Sequence, residues 1–468
     1  MKKRYESKTY LHFDKKTSFN PKVENYVKDF EKNPSHSFLP LIFDERVSER
    51  YIGYNEDISK NYVREGKITP IKLKKRKIMY ASHIDNFIYK HYALELNRLY
   101  NDYLVNNDFE NVSLAYRHGS ELFRGKCNIH FSAEVINYIK NNPNSIVYVG
   151  DFSDFFDTLK HDYLKLMINK LYSGMRMPKH QFKIFNSLTK FSYINKVDIE
   201  EHLGTDEEMY ALKKRQYVDS FEEFREFKNK ETINGRILKT NDEDFGIPQG
   251  TAISALYSNI YMLEIDMIIN KIVHEKNGIY RRYSDDYIIV IPNQSAIEFE
   301  EFKQNLELIM KKDAHLTIHE DKTQTMRFID NKLVDFCDST KLVKLDYLGF
   351  TFNGNEVYMR EKSVHKYYSS VNNLLRKGYI VSKNKNHNRL TYKRKMYQRY
   401  HIFGERTDFK YGYPTREYGT FITYAHKCQR IFDELSPNTN NKMKTQIKYH
   451  QKNIENKMNY YKKKLQSR

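Results

Sequence analysis

The sequence predicts an α+β fold in which an antiparallel sheet is followed by a helical C-terminal region. Short β-rich runs flank a tight polar turn at Asp285-Asp286, and this pattern predicts a β-hairpin. The apolar run Ile146–Val149 has the composition of a buried strand. After Glu361, apolar residues recur at helical spacing in residues 364–375 and 421–432, which predicts two helices.

Two adjacent carboxylates occupy the turn of this hairpin, in the stretch Tyr283-Ser284-Asp285-Asp286. Neighbouring carboxylates repel each other, and a divalent cation removes that penalty. A third acid, Asp151, follows the predicted strand, and the two elements together can bring it beside the pair. Three such acids supply oxygen ligands for two Mg²⁺ ions, an arrangement suited to phosphoryl transfer. An Asp-Asp turn alone is more often a solvated loop, so this interpretation depends on the rest of the chain.

A loop that contains glycine and proline, Gly246–Gly250, precedes a helix of small and apolar residues. Glycine lets the backbone approach a ligand closely, and the start of a helix presents free N–H groups. Gln249 in this loop can donate and accept hydrogen bonds without adding charge. Alone, a Pro-Gln-Gly sequence would indicate a turn and nothing more.

Two further acids, Asp154 and Asp157, follow Asp151 closely in the sequence. Acids at the end of a strand often cap the next helix. We therefore expect both to cap a helix that includes Thr158–Leu164.

Taken in order, the strand with Asp151, the Pro-Gln-Gly loop and the Asp-Asp hairpin resemble the reverse transcriptase family. The palm signature of that family is an Asp-x-x-x-aromatic-aromatic strand end, a Pro-Gln-Gly loop and an aromatic-x-Asp-Asp hairpin. Further segments resemble its basic fingers segment, its Arg-containing segment, its lysine motif and its primer grip, at residues 74–78, 115–119, 316–323 and 347–352. The matches keep the family order from about residue 70 to 355, so chance agreement is negligible.

This resemblance implies a right-hand polymerase, with fingers and palm built on an antiparallel sheet and an α-helical thumb. It implies that two Mg²⁺ ions, with Mn²⁺ as an alternative, are held by Asp151, Phe152 (through its backbone oxygen), Asp285 and Asp286. Lys322 matches the lysine that neutralises or protonates the leaving pyrophosphate.

The resemblance also implies a set of substrate contacts. Phe156, five positions after Asp151, matches the steric gate that rejects a ribose 2′-hydroxyl and so favours deoxynucleotides. Gln249 would contact the incoming nucleotide or the template. Lys74 and Arg76 would hold the triphosphate, and Arg117 would bind substrate from the segment before the palm. A basic residue that simply faces solvent is the alternative interpretation for Lys74 and Arg76.

Positive charge is concentrated near the C-terminal end of the chain. The formal net charge is +19 at pH 7, and residues 361–468 contain 25 Lys/Arg against 7 Asp/Glu. Such a segment is typical of contact with a nucleic-acid backbone. A solvated basic tail is the alternative. Tyrosines interleaved in the segment can stack on bases or pack a helical core.

The predicted organisation has three parts. Residues 1–45 form an N-terminal extension, residues 46–360 form fingers and palm, and residues 361–468 form a basic helical thumb with a C-terminal appendage. A highly charged stretch at about residues 198–244 is predicted to be a surface insertion. Residues 442–468 are predicted to form a basic helix that binds RNA or another subunit.

Cysteine spacing and hydropathy indicate the cellular location of the protein. Cys127, Cys337 and Cys428 form no CxxC pair, so neither a zinc ribbon nor a disulfide framework is indicated. No apolar run approaches the about 18 residues of a membrane span, and the first residues lack the apolar core of a signal peptide. We therefore predict a cytoplasmic protein that does not associate with membranes.

The loop variant Gln249–Ser254 is similar to that of bacterial defence-associated and abortive-infection reverse transcriptases. This resemblance implies dNTPs as substrates, a DNA product, a noncoding RNA encoded nearby as partner, and a role in antiphage defence. Retron enzymes usually carry Ala-Asp-Asp and Val-Thr-Gly, whereas this chain has Ser284-Asp285-Asp286 and no Val-Thr-Gly. Group II intron enzymes often add a Cys/His endonuclease, a pattern that we do not find here.

Several interpretations stay open from the sequence. The chain can be a group II intron-type or retron reverse transcriptase, or an enzyme of template-independent or protein-primed DNA synthesis. It can also be a non-catalytic RNA-binding protein, although such a protein has no need of the repelling acids Asp285 and Asp286. The sequence also leaves open whether the protein forms a homo-oligomer.

Overall fold

The structure is a computed structural model. It describes residues 5, 7–51, 62–64, 66–232, 235–400, 409–410, 413–414 and 420–467. Parts of the predicted N-terminal extension and of the C-terminal region therefore lie outside the described residues. Helices and mostly antiparallel sheets are both present, which is the α+β class that was predicted.

The elements before the central sheet come from the N-terminal segment and from the first part of the region predicted as fingers and palm. They are α1 (Pro21–Lys32), β1 (Leu41–Tyr51), β2 (Tyr62–Arg64), β3 (Lys67–Thr69), β4 (Ile71–Tyr80), α2 (His83–Asn106) and α3 (Asn128–Asn141).

The following elements belong to the segment predicted to form fingers and palm. They are β5 (Ser145–Asp151), α4 (Phe155–Thr158), α5 (His161–Leu171), α6 (Lys179–Thr189), β6 (Ser192–Asn195), α7 (Lys196–Leu203), α8 (Asp206–Ala211), α9 (Phe221–Lys228), β7 (Glu231–Thr232), β8 (Gly235–Arg236), β9 (Lys239–Thr240), α10 (Ser254–Tyr261), α11 (Leu263–Glu275), β10 (Ile279–Tyr283), β11 (Asp286–Pro292), α12 (Ala296–Asp313), a 3₁₀ turn (Glu320–Lys322), β12 (Gln324–Ile329) and β13 (Lys332–Asp335).

The C-terminal region adds a small sheet and several helices. They are β14 (Leu345–Tyr347), β15 (Phe350–Phe352), β16 (Glu356–Met359), α13 (Glu361–Asn384), α14 (Lys393–Tyr400), β17 (Phe409–Lys410), β18 (Tyr413–Pro414), α15 (Phe421–Leu435), β19 (Asn440–Asn441), α16 (Met443–Gln446) and α17 (His450–Gln466).

Five antiparallel strands form the central sheet, in the order β10-β11-β5-β12-β13. The predicted strand is β5 and the predicted hairpin is β10–β11, so both predictions are confirmed. Successive side chains of a strand point to opposite faces, and β5 accordingly contributes to two cores. Ile146 and Tyr148 are buried in the core that contains α10–α12, and Val147 in the core that contains α3, α13 and α15.

A second sheet has the order β4-β1-β6-β9 and includes the basic segment predicted to belong to the fingers. The stretch predicted as an insertion, residues 198–244, contributes β9 to this sheet. Its side chains Phe224 and Phe227 are buried against Leu11 and Phe13 of the N-terminal segment. The stretch is therefore packed onto this sheet and the N-terminal segment through an apolar core. The boundary predicted at residue 45 falls inside β1, so β1 begins in the predicted N-terminal extension.

The C-terminal helices pack against a third sheet, in the order β14-β15-β16-β19, and against α3. The predicted helices over residues 364–375 and 421–432 lie in α13 and α15, which confirms them. The single helix predicted over residues 442–468 is wrong. Two helices, α16 and α17, are separated at Ile447, whose side chain is buried in the core. Within the described ranges, no helix combines the length and the apolar character that a membrane span requires.

The capping role predicted for Asp154 and Asp157 is also wrong. Asp154 precedes α4 with a φ of 45°, and its side chain makes no capping hydrogen bond. The Asp157 carboxylate accepts a hydrogen bond from Lys77 Nζ of the fingers at 2.9 Å. The predicted helix is broken at Leu159-Lys160 because this segment pairs with the Gly246 loop: Gly246 N donates to Leu159 O at 2.9 Å.

Gly150 lies one residue before Asp151 and faces the buried ring of Tyr287 on β11. A Cβ atom at Gly150 would overlap that ring. Because Tyr287 is fully buried, the ring has no room to move away. We expect Gly150→Ala to lower the free energy of unfolding by about 1–3 kcal/mol, the usual cost of overpacking a core. Urea titration of the purified variant measures this, and an unchanged midpoint would contradict the packing described here.

Candidate active site

The hairpin and β5 bring three aspartates to one end of the central sheet. Tyr283 and Asp286 pair across the turn, and Asp286 is also the ladder partner of Asp151. The backbone N–H of Phe152 donates to the carbonyl of Asp285 at 3.4 Å. The antiparallel register therefore fixes the positions of all four residues predicted to hold metal ions.

These carboxylates repel one another in a partly desolvated cleft. Burial, the charge of Asp285 and the charge of Asp151 together raise the pKa of Asp286 to about 6. Burial and the charge of Asp151 raise the pKa of Asp285 as well. The charge of Lys322 acts in the opposite direction on the pKa of Asp286. The site holds more negative charge than its surroundings neutralise, which is the condition under which cations bind.

Lys322 lies in the 3₁₀ turn that follows α12, and its Nζ donates to Asp151 Oδ2. This turn is joined to the strand end, because His319 N donates to Asp151 O at 2.8 Å. The structure thus places Lys322 beside Asp151, and its role toward the leaving pyrophosphate stays a prediction. The second oxygen of Asp151, Oδ1, is buried and has no hydrogen-bond partner in the described part of the chain.

The donor set fits divalent cations of the Mg²⁺ type. Carboxylate oxygens are the ligands that such ions prefer, and the buried, unpartnered Asp151 Oδ1 is available to one of them. Among the described residues, no three acidic, histidine or cysteine side chains are yet gathered closely enough to hold an ion. Metal binding would therefore require the three carboxylates to move closer together around the cation.

The Pro-Gln-Gly loop is attached both to the palm and to the fingers. Ile247 N donates to the carbonyl of Phe156 at 2.9 Å, and Met79 N of β4 donates to the carbonyl of Gln249 at 2.8 Å. Gly250 has a φ of 127°, and a Cβ there would lie 2.5 Å from the carbonyl oxygen of Met79. Only glycine allows this approach, so the loop is held between the predicted steric gate and the end of the fingers strand.

The structure selects among the clustered basic residues of β4. Lys77 Nζ contacts Asp157, the neighbour of Phe156 in the palm. Alternation along the strand places Lys74 and Arg76 on the opposite face. Both are exposed, and neither side chain forms an ion pair within the described part of the chain. The triphosphate contact predicted for Lys74 and Arg76 stays a prediction, and Lys77 is the residue of this cluster that reaches the palm.

The guanidinium of Arg117 bonds within the chain. Its Nε donates to Asn101 Oδ1 at 2.9 Å, and its Nη1 donates to the carbonyl oxygens of Glu110 and Ser113. The ring of Phe123 lies 4.8 Å from the guanidinium carbon. These contacts hold the segment after α2 in place, and substrate binding by Arg117 stays a prediction.

A buried arginine beneath the hairpin is the feature that the sequence reading missed. Arg282 and Asp266 are both fully buried, and Arg282 Nη2 lies 2.6 Å from Asp266 Oδ2. Arg282 Nη1 donates to the carbonyl of Ser284 at 2.8 Å and to Asn259 Oδ1 at 3.1 Å. Tyr280 donates its hydroxyl proton to Asp266 Oδ1 at 2.8 Å.

This network fixes the turn that carries Asp285 and Asp286. Ser284 has a φ of 63°, a left-handed conformation that is uncommon for a residue with a side chain. The bond from Arg282 to the Ser284 carbonyl holds the strained residue against α10 and α11. One signal was present in the sequence: Asp266 is a lone short acid in the apolar run of α11. A buried acid requires a partner, but the sequence does not identify it.

Comparisons with known proteins identify one matching family. Residues 86–352 match the family described as reverse transcriptase (RNA-dependent DNA polymerase). No curated protein matches the sequence.

Among solved structures, the chain is similar to two yeast telomerases. For telomerase from Candida albicans with a TWJ fragment of telomeric RNA, the TM-score is 0.40 at 10% identity, covering 95% of this chain and 69% of that chain. For apo telomerase from Candida tropicalis truncated from the C-terminal domain, the TM-score is 0.39 at 12% identity, covering 72% and 59%. The alignment thus spans 59% of the length of the Candida tropicalis protein.

The family match covers more than half of the 468 residues. It includes β5 with Asp151, the Pro-Gln-Gly loop, the Asp-Asp hairpin and Lys322. The chain therefore belongs to the reverse transcriptase (RNA-dependent DNA polymerase) family.

Proposed function

We propose that this protein is an RNA-directed DNA polymerase that copies an associated noncoding RNA into cDNA in bacterial antiphage defence. The observation that carries the polymerase proposal is the pairing of Asp286 with Asp151 across the central sheet, with Lys322 bonded to Asp151. The bacterial and defence-related part rests on the loop variant at residues 249–254. The basic C-terminal region supports a nucleic-acid partner.

In this proposal Asp151, Asp285, Asp286 and the carbonyl of Phe152 hold two Mg²⁺ ions, or Mn²⁺ in their place. When bound, such ions lower the pKa of a primer 3′-hydroxyl and neutralise charge on the phosphates. Lys322, once released from Asp151, carries a proton that it can give to the leaving pyrophosphate. Because Lys322 is half exposed, it can reach a substrate in the cleft.

The other predicted residues select and orient the substrate. The ring of Phe156 packs against the apolar core. The backbone carbonyl of Phe156 accepts a hydrogen bond from Ile247 N, which fixes the position of this residue. A ring held in this way would exclude the 2′-hydroxyl of a ribonucleotide. The exposed side chain of Gln249 would contact the nucleotide or the template. The cation nearest to the palm from β4, Lys77, would join Lys74 and Arg76 as a candidate for the triphosphate.

Replacing Phe156 tests the preference for deoxynucleotides. We expect Phe156→Ala to raise kcat/KM for ribonucleotides relative to deoxynucleotides by about tenfold or more, because a shaped pocket discriminates by about 1–3 kcal/mol. Phe156→Tyr keeps the ring and is the matched control. Steady-state incorporation of each dNTP and NTP measures the ratio. An unchanged ratio in Phe156→Ala would remove the steric gate from the proposal.

The template assignment is tested with the RNA that copurifies with the protein. The purified complex is given each dNTP and each NTP separately in Mg²⁺, and the products are sequenced. We expect DNA that is complementary to the copurified RNA in wild type and in Glu301→Gln, an exposed carboxylate of α12, and none in Asp285→Ala. Copies of an intron or retron RNA would assign the protein to those classes. DNA unrelated to the RNA, or joined to the protein, would indicate template-independent or protein-primed synthesis.

An RNA-bound, folded protein that makes no product would instead favour the RNA-binding alternative. A cytoplasmic location and a homo-oligomeric state stay predictions. Fractionation of the source cells and the mass of the purified complex in solution test them.

A further inference from the structure

Two of the three cysteines lie where α3 packs against α15 of the C-terminal region. Cys127 immediately precedes α3, is half-buried, and packs against the core in which Cys428 of α15 is fully buried. Burial, and next the charge of a Cys127 thiolate, raise the pKa of Cys428 to about 12. Because the interaction of charges falls with distance, this influence makes the two thiols neighbours in the fold, although they are far apart in the chain.

The surroundings of Cys127 are those of a reactive thiol. Its sulfur lies at the start of α3, 3.5 Å from Nδ1 of His130. The backbone N–H of Cys127 donates to the same Nδ1 at 3.1 Å, so Nδ1 carries no proton and can accept the thiol proton. Burial and the charge of Lys427 lower the pKa of His130, which keeps the imidazole neutral and available as a base. Nucleophilic cysteines usually lie at helix N-termini or beside a histidine.

The other two cysteines differ from Cys127. The raised pKa of Cys428 keeps it a thiol, so it is not the group that reacts first. Cys337 is exposed, but its neighbours are acids: the carboxylate of Asp335 accepts a hydrogen bond from the backbone N–H of Cys337 at 3.0 Å, and Asp338 is the next residue. Such a site lacks the positive surroundings of a reactive cysteine, so Cys337 serves as an internal reference.

The residue after Cys127 connects this thiol to the predicted primer grip. Asn128 Nδ2 donates to the carbonyl oxygen of Leu348 at 3.0 Å. Leu348 and Gly349 form the turn of that hairpin, with φ values of 45° and 95°. A leucine rarely adopts a positive φ, so the turn depends on bonds from neighbouring elements. A displacement of Cys127 would therefore act on the hairpin through Asn128.

We propose that a hydroperoxide oxidises Cys127, and that Cys428 then forms a disulfide with it which weakens primer binding until a thiol reductant reopens the bond. In the first step the Cys127 sulfur attacks a peroxide oxygen, the O–O bond breaks, and a sulfenic acid forms. The proton taken up by His130 passes to the leaving hydroxide, which departs as water. In the second step the Cys428 sulfur attacks the sulfenic sulfur, the S–O bond breaks, and a second water leaves with the thiol proton.

The disulfide requires movement at the start of α3. Both cysteines are free in the structure, and a disulfide needs about 2.0 Å between the sulfur atoms. Cys127 therefore has to leave its position beside His130, and Asn128 moves with it, away from Leu348. The effect on primer binding rests on the proposed polymerase function, whereas the disulfide itself does not. In reducing compartments such disulfides are usually transient and serve catalysis or redox sensing.

The disulfide is tested by mass spectrometry of the full chain. The protein is treated with hydrogen peroxide and digested without reductant, and joined peptides are identified. Cys127→Ser and Cys428→Ser are the variants, and Cys337→Ser is the matched control. We expect a peptide pair that joins positions 127 and 428 in wild type and in the control, that disappears with dithiothreitol, and that is absent from both variants. In Cys428→Ser the sulfenic acid of Cys127 should persist and react with dimedone, while Cys337 stays reduced.

The consequence for primer binding is measured by fluorescence anisotropy with a primer–template duplex. Peroxide should raise the dissociation constant about fivefold in wild type and Cys337→Ser, which corresponds to the loss of one hydrogen bond of about 1 kcal/mol. Dithiothreitol should restore the original value. Cys127→Ser and Cys428→Ser should show no such change. These variants keep all 14 methionines, so they also control for methionine oxidation.

Absence of the joined peptides from folded, peroxide-treated wild type would overturn the proposal, and so would equal oxidation of Cys337. Joined peptides with unchanged primer affinity would overturn the switch. Cys428 is fully buried, so Cys428→Ala, which adds no polar group to the core, replaces Cys428→Ser if that variant does not fold. A protein that forms the disulfide but incorporates no nucleotide would contradict the proposed function alone, and incorporation without the disulfide would contradict this inference alone.

Discussion

Asp286→Asn is expected to abolish nucleotide incorporation and to raise the melting temperature of the metal-free protein. Asp286 faces Asp151 across the ladder and follows Asp285, so the amide removes one member of a repelling group. The same change removes a ligand for the cations on which the proposed chemistry depends. We expect a loss on the order of 10³-fold in single-turnover rate, since charge stabilisation at such a site contributes several kcal/mol.

The stabilisation should depend on pH in a defined direction. The pKa of Asp286 is about 6 in the folded protein, above the value of about 3.9 that is usual for an unfolded chain. Between these values the folded protein holds a proton that the unfolded chain has lost, so the contribution of Asp286 to stability falls as pH rises. The gain in Asp286→Asn should therefore be full above about pH 6 and absent below about pH 4.

Differential scanning fluorimetry in a chelator, at pH 4 and at pH 7.5, measures this pH dependence. Glu301→Gln is the matched carboxylate-to-amide control. Its melting temperature should equal that of wild type at both pH values. A lower melting temperature for Asp286→Asn at pH 7.5 would contradict the electrostatic account. Incorporation that survives in this variant would contradict the catalytic one.

Asp266→Asn is expected to be among the most destabilising single changes in the palm. Arg282 would remain fully buried without its counter-ion, and breaking a buried pair from one side costs about 3–5 kcal/mol. The free energy of unfolding from urea titration measures this loss. Glu24→Gln removes the exposed pair with Lys28 and should cost less than about 1 kcal/mol.

The double variant Arg282→Met, Asp266→Leu separates the two roles of this network. Replacing a buried ion pair by apolar side chains of similar volume is often close to neutral, so most of the lost stability should return. Incorporation should stay low, because the carbonyl of Ser284 has no donor and the turn with Asp285 and Asp286 is no longer held. Recovery of both stability and activity would show that Arg282 does not position the hairpin.

The sequence predicted the parts of the site that depend on local pattern. A β-rich run on each side of Asp285-Asp286 is sufficient for a hairpin, and the apolar run before Asp151 is sufficient for a strand. Their antiparallel pairing is seen in the structure, where β5 is buried on both faces. The order of the motifs supplied the family, and the position of Lys322 beside Asp151 agrees with it.

The sequence did not predict contacts between residues that are distant in the chain. Asp157 has the pattern of a helix cap, but the tertiary contact with Lys77 determines its position. The same holds for Asp266, whose partner Arg282 lies in another element, and for Arg117, whose guanidinium bonds within the fingers. The ring of Tyr287, which lies in another strand, requires glycine at position 150. Such pairings depend on how elements pack, which no local periodicity encodes.

Primer extension on a defined RNA template tests the central claim most directly. A DNA primer annealed to an RNA of known sequence is incubated with the protein, Mg²⁺ and all four dNTPs. Parallel reactions contain Asp151→Asn or Glu301→Gln in place of wild type. We predict extension products that are the DNA complement of the template for wild type and Glu301→Gln, and none for Asp151→Asn. Products whose sequence does not follow the RNA, or equal synthesis by Asp151→Asn, would contradict an RNA-directed polymerase that works through these aspartates.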